Sequence, residues 1–530
     1  MGTFYVTTPI YYVNDHPHIG HCYTTLVADV LARFHRLAGR DVLFLTGTDE
    51  HAEKVIERAR EAGVGVQEWA DRNAQAFREA FELLAISNDD FVRTSEERHK
   101  NRASAYIQHL VDSGDIYLGD YEGWYDTSQE EYVTESVAKQ HAYASPVTGK
   151  PLEKRTEQNY FFRLSAYEDR LAAHLEAHPS FVRPQARLNE VLGRLQQGLQ
   201  DVPVSRAVRG GEADWGILMP NDPAHRVYVW IEALCNYLTV VDTDECRGYW
   251  PADVHMLAKD ILWFHAVVWP AMLMALDRPL PGCVYAHAYF VAEGRKMSKS
   301  LGNFIEIDQL RAYGERYSID AVRWYLATQG PLGATDADFA HANFVEVYNA
   351  ELANRFGNSV NRVVNMVQKY FGGVYPEAGD ATVHGGVNWP ELIAGHVQAA
   401  HERMAVIDLH GAGHQAMAIV SAVDQYIFQT EPFRLAKQIE GEDDPKHGEL
   451  ALILYNCAEA LRIAAVLLLP FLPGRAADAL RTLGAGVPTD GGLDSHVAWR
   501  GAHAIAPGAA VQKGEVLFQR AEADEPAPGA

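Results

Sequence analysis

Cysteine is scarce in this chain of 530 residues: there are five, at positions 22, 235, 246, 283 and 457, and no two stand as C-x-x-C. That excludes a zinc ribbon or a dithiol redox motif built on paired cysteines. The sparse, odd set fits a reducing compartment better than a disulfide-built fold. Positive charge is short as well. Lys and Arg total 46 against 70 Asp and Glu, a formal net charge of −24. Global charge therefore gives no support for nucleic-acid binding, and any RNA contact needs a local basic surface. The opening MGTFYVTTPIYYV lacks the basic flank and long apolar stretch of a secretory signal, so the expected location is the cytoplasm. The apolar segment 450–469 is interrupted by Asn456, Glu459 and Arg462. Those side chains argue for a buried bundle helix rather than a membrane span.

What is present is the composition of a folded protein, 48% hydrophobic and 22% charged, at a length that implies roughly two to four domains. The first 50 residues alternate. A β-rich run at 4–8 precedes a helical pattern from about Gly20, with apolar Leu26, Val27, Val30, Leu31, Phe34 and Leu37. Gly39 stands where a C-cap glycine is expected, and DVLFL at 41–45 reads as a buried strand before the turn TGTDEH. Such alternation implies a parallel sheet covered by helices, with ligands at the carboxyl ends of the strands. It weakens over 117–226 and returns with VYVWIEAL, VHMLAK and CVYAHAYFV. From 341 to 470 the pattern is almost wholly helical.

Two motifs carry chemistry. His18-Ile19-Gly20-His21 lies between a strand and a helix, where free N–H groups and two imidazoles can meet a phosphate and Gly20 allows close backbone approach. Taken alone, a chance tetrapeptide remains open, as does a metal site using His16, His18 and His21. Lys296-Met297-Ser298-Lys299-Ser300 is a two-lysine loop on small residues, suited to neutralising a leaving pyrophosphate. Taken alone it could equally be a solvated basic loop.

HIGH followed by KMSKS resembles the signature of class I aminoacyl-tRNA synthetases. TTPIYYVNDHPHIGH, TGTDEH, YVWIEAL and KDILWFH resemble the methionyl-tRNA synthetase family, over the chain from its start to about residue 470. The resemblance implies a Rossmann-type α/β catalytic domain with a connective insertion, followed by an all-α helical bundle. It divides the chain into 1–116 (first catalytic half, with HIGH), 117–226 (insertion), 227–340 (second half, with KMSKS and a stem-contact region), 341–517 (anticodon-binding helices) and 518–530, a disordered tail. It implies methionine-tRNA ligase activity using L-methionine, ATP with Mg2+ as co-substrate, and tRNA(Met) with a CAU anticodon. His18, His21, Lys296 and Lys299 would be catalytic. Tyr12, Asn14, His18, Gly20, His21, Asp260 and Lys299 would hold ATP.

The methionine pocket is expected from Ile10, Tyr12, Asp49, Trp230, Ala233, Leu234, Tyr237, Ile261, Phe264 and His265. Asp49 is an anion for the substrate ammonium, the aromatics suit a thioether, and Tyr12 is expected to position His265 near the sulfur. Each aromatic taken singly could equally be core. Asn354, Asn358 and Arg362, spaced i, i+4, i+8, are expected on one helix face reading unstacked anticodon bases, with Phe433 where relatives stack a tryptophan. A solvated polar face is the alternative. Relatives differ at two places, where glycines become Ala52 and Ala258. No cysteine lies between 23 and 234, where many relatives carry a zinc knuckle, so no structural zinc is expected. The chain should be a monomer without membrane association. A class I synthetase for leucine, isoleucine or valine would carry a large editing domain, and 117–226 is small for one. A non-catalytic tRNA-binding paralogue is disfavoured by intact HIGH and KMSKS.

Overall fold

The β-rich opening run forms a longer strand than its apolar core suggests, because its polar threonines are paired as well as buried. In the computed structural model, residues 2–126, 131–133, 135–146, 148–208, 215–292, 295–296, 305–441, 444–489, 491–522 and 526–528 are described. Six strands make one parallel sheet: β1 (Thr3–Tyr12), β2 (Asp41–Asp49), β3 (Asp90–Arg93), β4 (Val182–Arg183), β5 (Val254–Ala258) and β6 (Val284–His287), in the order β3-β2-β1-β5-β6-β4. The order reverses between β1 and β5, the place where such sheets open a crevice. The register of β1 on β2 shifts between Thr7 and Ile10. This irregularity re-aims the end of β1 toward the crevice, and Thr8 anchors it by donating to Thr46 Oγ1 at 2.7 Å. Gly47 is required beside it, since a Cβ there would lie 1.9 Å from Val92 O.

The stretch 117–226 carries a separate antiparallel sheet, built on Ile116–Asp126 against Glu153–Phe162, together with helices and a smaller antiparallel sheet. One part departs from the reading as an insertion. Val182 is fully buried and β4 forms the edge of the main sheet, with Val284 N–H donating to Phe181 O at 2.7 Å. Two residues are too short to announce a strand in sequence.

Six helices matter to the sites: α1 (Ile19–Leu37), α2 (Val229–Leu234), α3 (Ile319–Gln329), α4 (Asn358–Phe371), α5 (Leu409–Thr430) and α6 (Pro445–Leu468). Helix α6 is long and apolar enough to cross a membrane, yet its most apolar window is wholly buried in the protein. Its interruptions are paired there: Arg462 binds both Glu459 oxygens at 2.8 Å, and Ile505 N–H donates to Glu459 at 3.1 Å. The catalytic and helical regions are joined through Arg323 of α3, which is fully buried. It bonds Asp29 of α1 (2.7 Å), Leu84 O (2.7 Å), Pro470 O (2.9 Å) and Phe471 O (3.2 Å).

The disordered tail expected from 518 does not begin there. Phe518 and Ala521 are buried, Tyr348 donates to Gln519 O at 2.6 Å, and Asn349 exchanges two bonds with the Ala521 backbone. Acidic composition concealed an apolar pair, Leu517-Phe518, large enough to dock the segment.

Candidate active site

The crevice is a cavity of about 580 Å3 at the carboxyl ends of β1, β2, β5 and β6. The HIGH segment forms one wall and builds itself by helix capping. His18 is the N-cap of α1: Gly20 N–H donates to His18 Nδ1 at 3.0 Å, and His18 N–H donates to His21 Nδ1 at 3.3 Å. The rings stack 3.8 Å apart. A ring nitrogen that accepts an N–H carries no proton, so both imidazoles hold theirs on Nε2. Burial, then the neighbouring His18, push the His21 pKa well below its ordinary value. Its ring is a neutral donor rather than a cation. Thr24 of the same helix donates to His287 Nε2 at 2.7 Å, and His287 Nδ1 donates to Ala288 O.

The opposite wall is aromatic. Trp230 stacks on Phe264 at 4.4 Å and 7°, and Tyr12 meets Trp230 edge-on at 5.7 Å. His265 donates from Nδ1 to Ile261 O at 3.0 Å and accepts at Nε2 from Tyr237 at 2.8 Å. This corrects the expectation that Tyr12 positions His265: Tyr237, from the chain just beyond α2, holds it. Burial pushes the His265 pKa down to about 4, so it too is neutral. Asp49, at the end of β2, is buried, and its Oδ1 has no hydrogen-bond partner among the described residues. Burial, then the charge of Glu232, hold its carboxyl well above the usual range.

Nine of the ten residues expected around methionine line this cavity, and Phe264 backs it through Trp230. Tyr12, Asn14, His18, Gly20, His21 and Asp260 line it as well. Lys299 lies outside the described residues; for Lys296 only the backbone is described, pairing with Val291. Asn236, His287 and Glu232 were missed. His287 ends β6, so the strand-end rule could have found it; Glu232 hid inside an apolar helix pattern. Ala52 (φ −67°) and Ala258 (φ −87°) have ordinary backbone, so neither methyl strains the chain, although Ala258 does line the cavity. Among the described residues no group of three His, Cys, Asp or Glu could hold a metal ion.

A second cluster lies on the helical region. Asn354 lies within a π-helical stretch, Tyr348–Gly357, and Asn358 and Arg362 follow on α4. Both asparagines are exposed and Arg362 is half-buried. Helix α5 runs alongside in the same direction: His414 pairs with Glu351 at 3.0 Å and Ser359 donates to Asp424 at 2.8 Å. Phe428, one turn beyond Asp424 on α5, is 79% exposed. Phe433 is 38% exposed. Phe428 gave no signal in sequence, because exposure of a phenylalanine cannot be read from its neighbours.

A reversed-order parallel sheet with HIGH capping the first helix at the switch point defines a class I tRNA synthetase. The family model described as tRNA synthetases class I (M) matches residues 4–142 and 141–364. The methionine--tRNA ligase of Streptomyces coelicolor is 43% identical over 98% of this chain and 97% of its own length. That of Bacillus subtilis is 41% identical, over 99% and 79%. The structure of Mycobacterium tuberculosis methionyl-tRNA synthetase in complex with methionyl-adenylate superposes with a TM-score of 0.87 at 35% identity, covering 98% of this chain and all of that one. The chain belongs to the methionine--tRNA ligase family.

Proposed function

We propose that this chain activates L-methionine with ATP and transfers it to the 3′ end of tRNA(Met). The methionine carboxylate attacks the α-phosphate of ATP, forming methionyl-adenylate and releasing pyrophosphate. The terminal tRNA hydroxyl then attacks the adenylate carbonyl, and AMP leaves. ATP enters with Mg2+ on its phosphates. No protein nucleophile is needed, so catalysis is positioning plus charge stabilisation.

The observation that carries this reading is the meeting, in one cavity, of a buried carboxylate, a stacked aromatic wall and two Nε2–H imidazoles at a helix start. Asp49 takes the ammonium. Trp230, Phe264, Tyr12 and the neutral His265 surround the thioether. His18 and His21 donate to phosphate oxygens without changing charge, and Lys296 and Lys299 draw off pyrophosphate. Asn354, Asn358 and Arg362 read the anticodon, with Phe428 and Phe433 as stacking surfaces. The protein acts as a cytoplasmic monomer without structural zinc. The test is ATP–pyrophosphate exchange with each of the twenty amino acids, followed by charging of tRNA(Met) and of an anticodon-altered transcript. Exchange driven best by leucine, isoleucine or valine would overturn the reading.

A further inference from the structure

The end of β2 and the turn after it hold three consecutive buried acid–base side chains, Asp49, Glu50 and His51. Glu50 is saturated. Arg93 binds both of its oxygens at 2.7 and 3.1 Å, and Thr48 and Ser95 donate to it. Glu232 of α2 is different. It is fully buried, one oxygen bonds His51 Nδ1 at 2.7 Å, and Oε2 has no hydrogen-bond partner among the described residues. Asp49 Oδ1 is in the same condition. Two buried carboxylates thus each keep an unbonded oxygen among the described residues, Asp49 in the cavity wall and Glu232 on the helix that carries Trp230 of that wall, an arrangement unfavourable until a donor or cation arrives.

We propose that Glu232 is a positioning residue of the methionine site: through His51 it ties the helix carrying Trp230 to the turn carrying Asp49, and its charge sets how strongly Asp49 holds the substrate ammonium. The proposal rests on the reading of Asp49 as the ammonium ligand. Connectivity supports the strut. His51 lies two residues after Asp49, and Glu232 two residues after Trp230, so a single 2.7 Å bond fixes the separation of anion and aromatic wall. Trp215 closes over the ring of His51 edge-on at 5.4 Å while donating to Glu50 O at 2.7 Å.

Among the described residues no lysine or arginine bonds either acid. Arg93 of β3 is committed to Glu50 and Asp71. His99, on the helix Glu97–Asp112, has its pKa pushed down to about 3 by burial and then by His51, and is neutral. Tyr12 of β1 is pushed up by burial, then by Asp49, and cannot help as an anion or cation. Cys235, next to α2, is pushed up by burial and then by Glu232, and stays a thiol. Burial, then the charge of Glu232, both raise the Asp49 pKa well above its ordinary value and favour the protonated carboxyl. Methionine's ammonium favours the ionised carboxylate. Affinity should rise with pH as Asp49 ionises, and removing the Glu232 charge should move the rise to lower pH.

The experiment measures the methionine KM by pyrophosphate exchange across the pH range in wild type, Glu232→Gln and Glu232→Ala. The amide of Glu232→Gln can still accept from His51, so KM at high pH should change less than about threefold, while the inflection shifts to lower pH. Glu232→Ala removes the strut and should raise methionine KM about tenfold or more, with ATP KM and kcat nearly unchanged. Thermal melting establishes that each variant is folded. Unchanged methionine KM in Glu232→Ala, an unshifted inflection in Glu232→Gln, or equal losses for ATP and methionine would each overturn the proposal. An Asp49→Ala control separates the failures. If it still exchanges normally, the underlying reading of Asp49 is wrong; if it is dead while the Glu232 variants match wild type, only this proposal falls.

Discussion

In the cavity, side chains are held by partners from distant segments: Tyr237 fixes His265 and Thr24 fixes His287, while next to the lining residues Asp49 and Trp230 the buried His51 is fixed by Glu232. On the helical region, Asn354, Asn358 and Phe428 lie on the outside, and only Arg362 is half-buried. The first arrangement suits a small ligand whose shape is known in advance. The second suits a partner that brings its own structure and orders side chains as it docks. The difference teaches where a substitution should be costly: in the cavity it disturbs a network, on the outer face it removes one contact.

The largest effect is expected where the two regions meet. Arg323→Met leaves the buried Asp29 with Arg33 as its remaining cation among the described residues, beside two bonds from Ser87, and strips three carbonyls of their donor. A loss of about 3–5 kcal/mol in stability is expected, measured by chemical denaturation. A wild-type denaturation curve would mean that the two regions are held together elsewhere.

Next comes Asp49→Ala. Methionine-dependent exchange should fall at least about a hundredfold, the scale of a lost charge-assisted bond in a dry site, while the melting temperature stays level or rises because a buried acid is gone. Near-normal exchange would remove the cavity's side of the contrast.

On the outer face, Arg362→Ala or Asn358→Ala should reduce tRNA charging about 10- to 100-fold and spare exchange, by analogy with a lost base contact of about 1–3 kcal/mol. If Arg362→Ala discriminates anticodon variants as wild type does, this face is not the reader. The smallest effects test stacking. Phe428→Ala should lower charging by up to about tenfold without destabilising the fold, since the ring is already 79% exposed. Phe433→Trp should be neutral or slightly favourable. Charging kinetics on a tRNA(Met) transcript decide both, and an unaffected Phe428→Ala variant would confine stacking to Phe433.

Much of the cavity was legible because HIGH, TGTDEH and YVWIEAL name residues at strand ends, where a parallel sheet must place its ligands. What remained hidden were relations between segments. Nothing in sequence distinguishes Tyr12 from Tyr237 as the partner of His265, or marks Glu232 as a strut rather than one more residue of a buried helix. The edge strand Val182–Arg183 was too brief to register. The docked tail was masked by its charges, since composition averages away a Leu517-Phe518 pair that packing does not ignore. On the outer face the Asn-Asn-Arg spacing was visible, whereas Phe428 emerged only from its exposure in the structure.

The cap of α1 has a consequence for which substitutions could ever replace its histidines. An asparagine could start a helix by accepting a backbone N–H, and an arginine could reach an oxyanion. Imidazole does both with opposite edges of one flat ring, and the edge engaged with the backbone dictates which edge carries the proton. Local folding thus performs a choice of tautomer that solvent would otherwise leave mixed. Nitrogen-15 shifts of the two rings in the resting protein should report a single, pH-insensitive form for His21 across the neutral range. His18→Asn would then separate the two duties, keeping the start of the helix while deleting one donor.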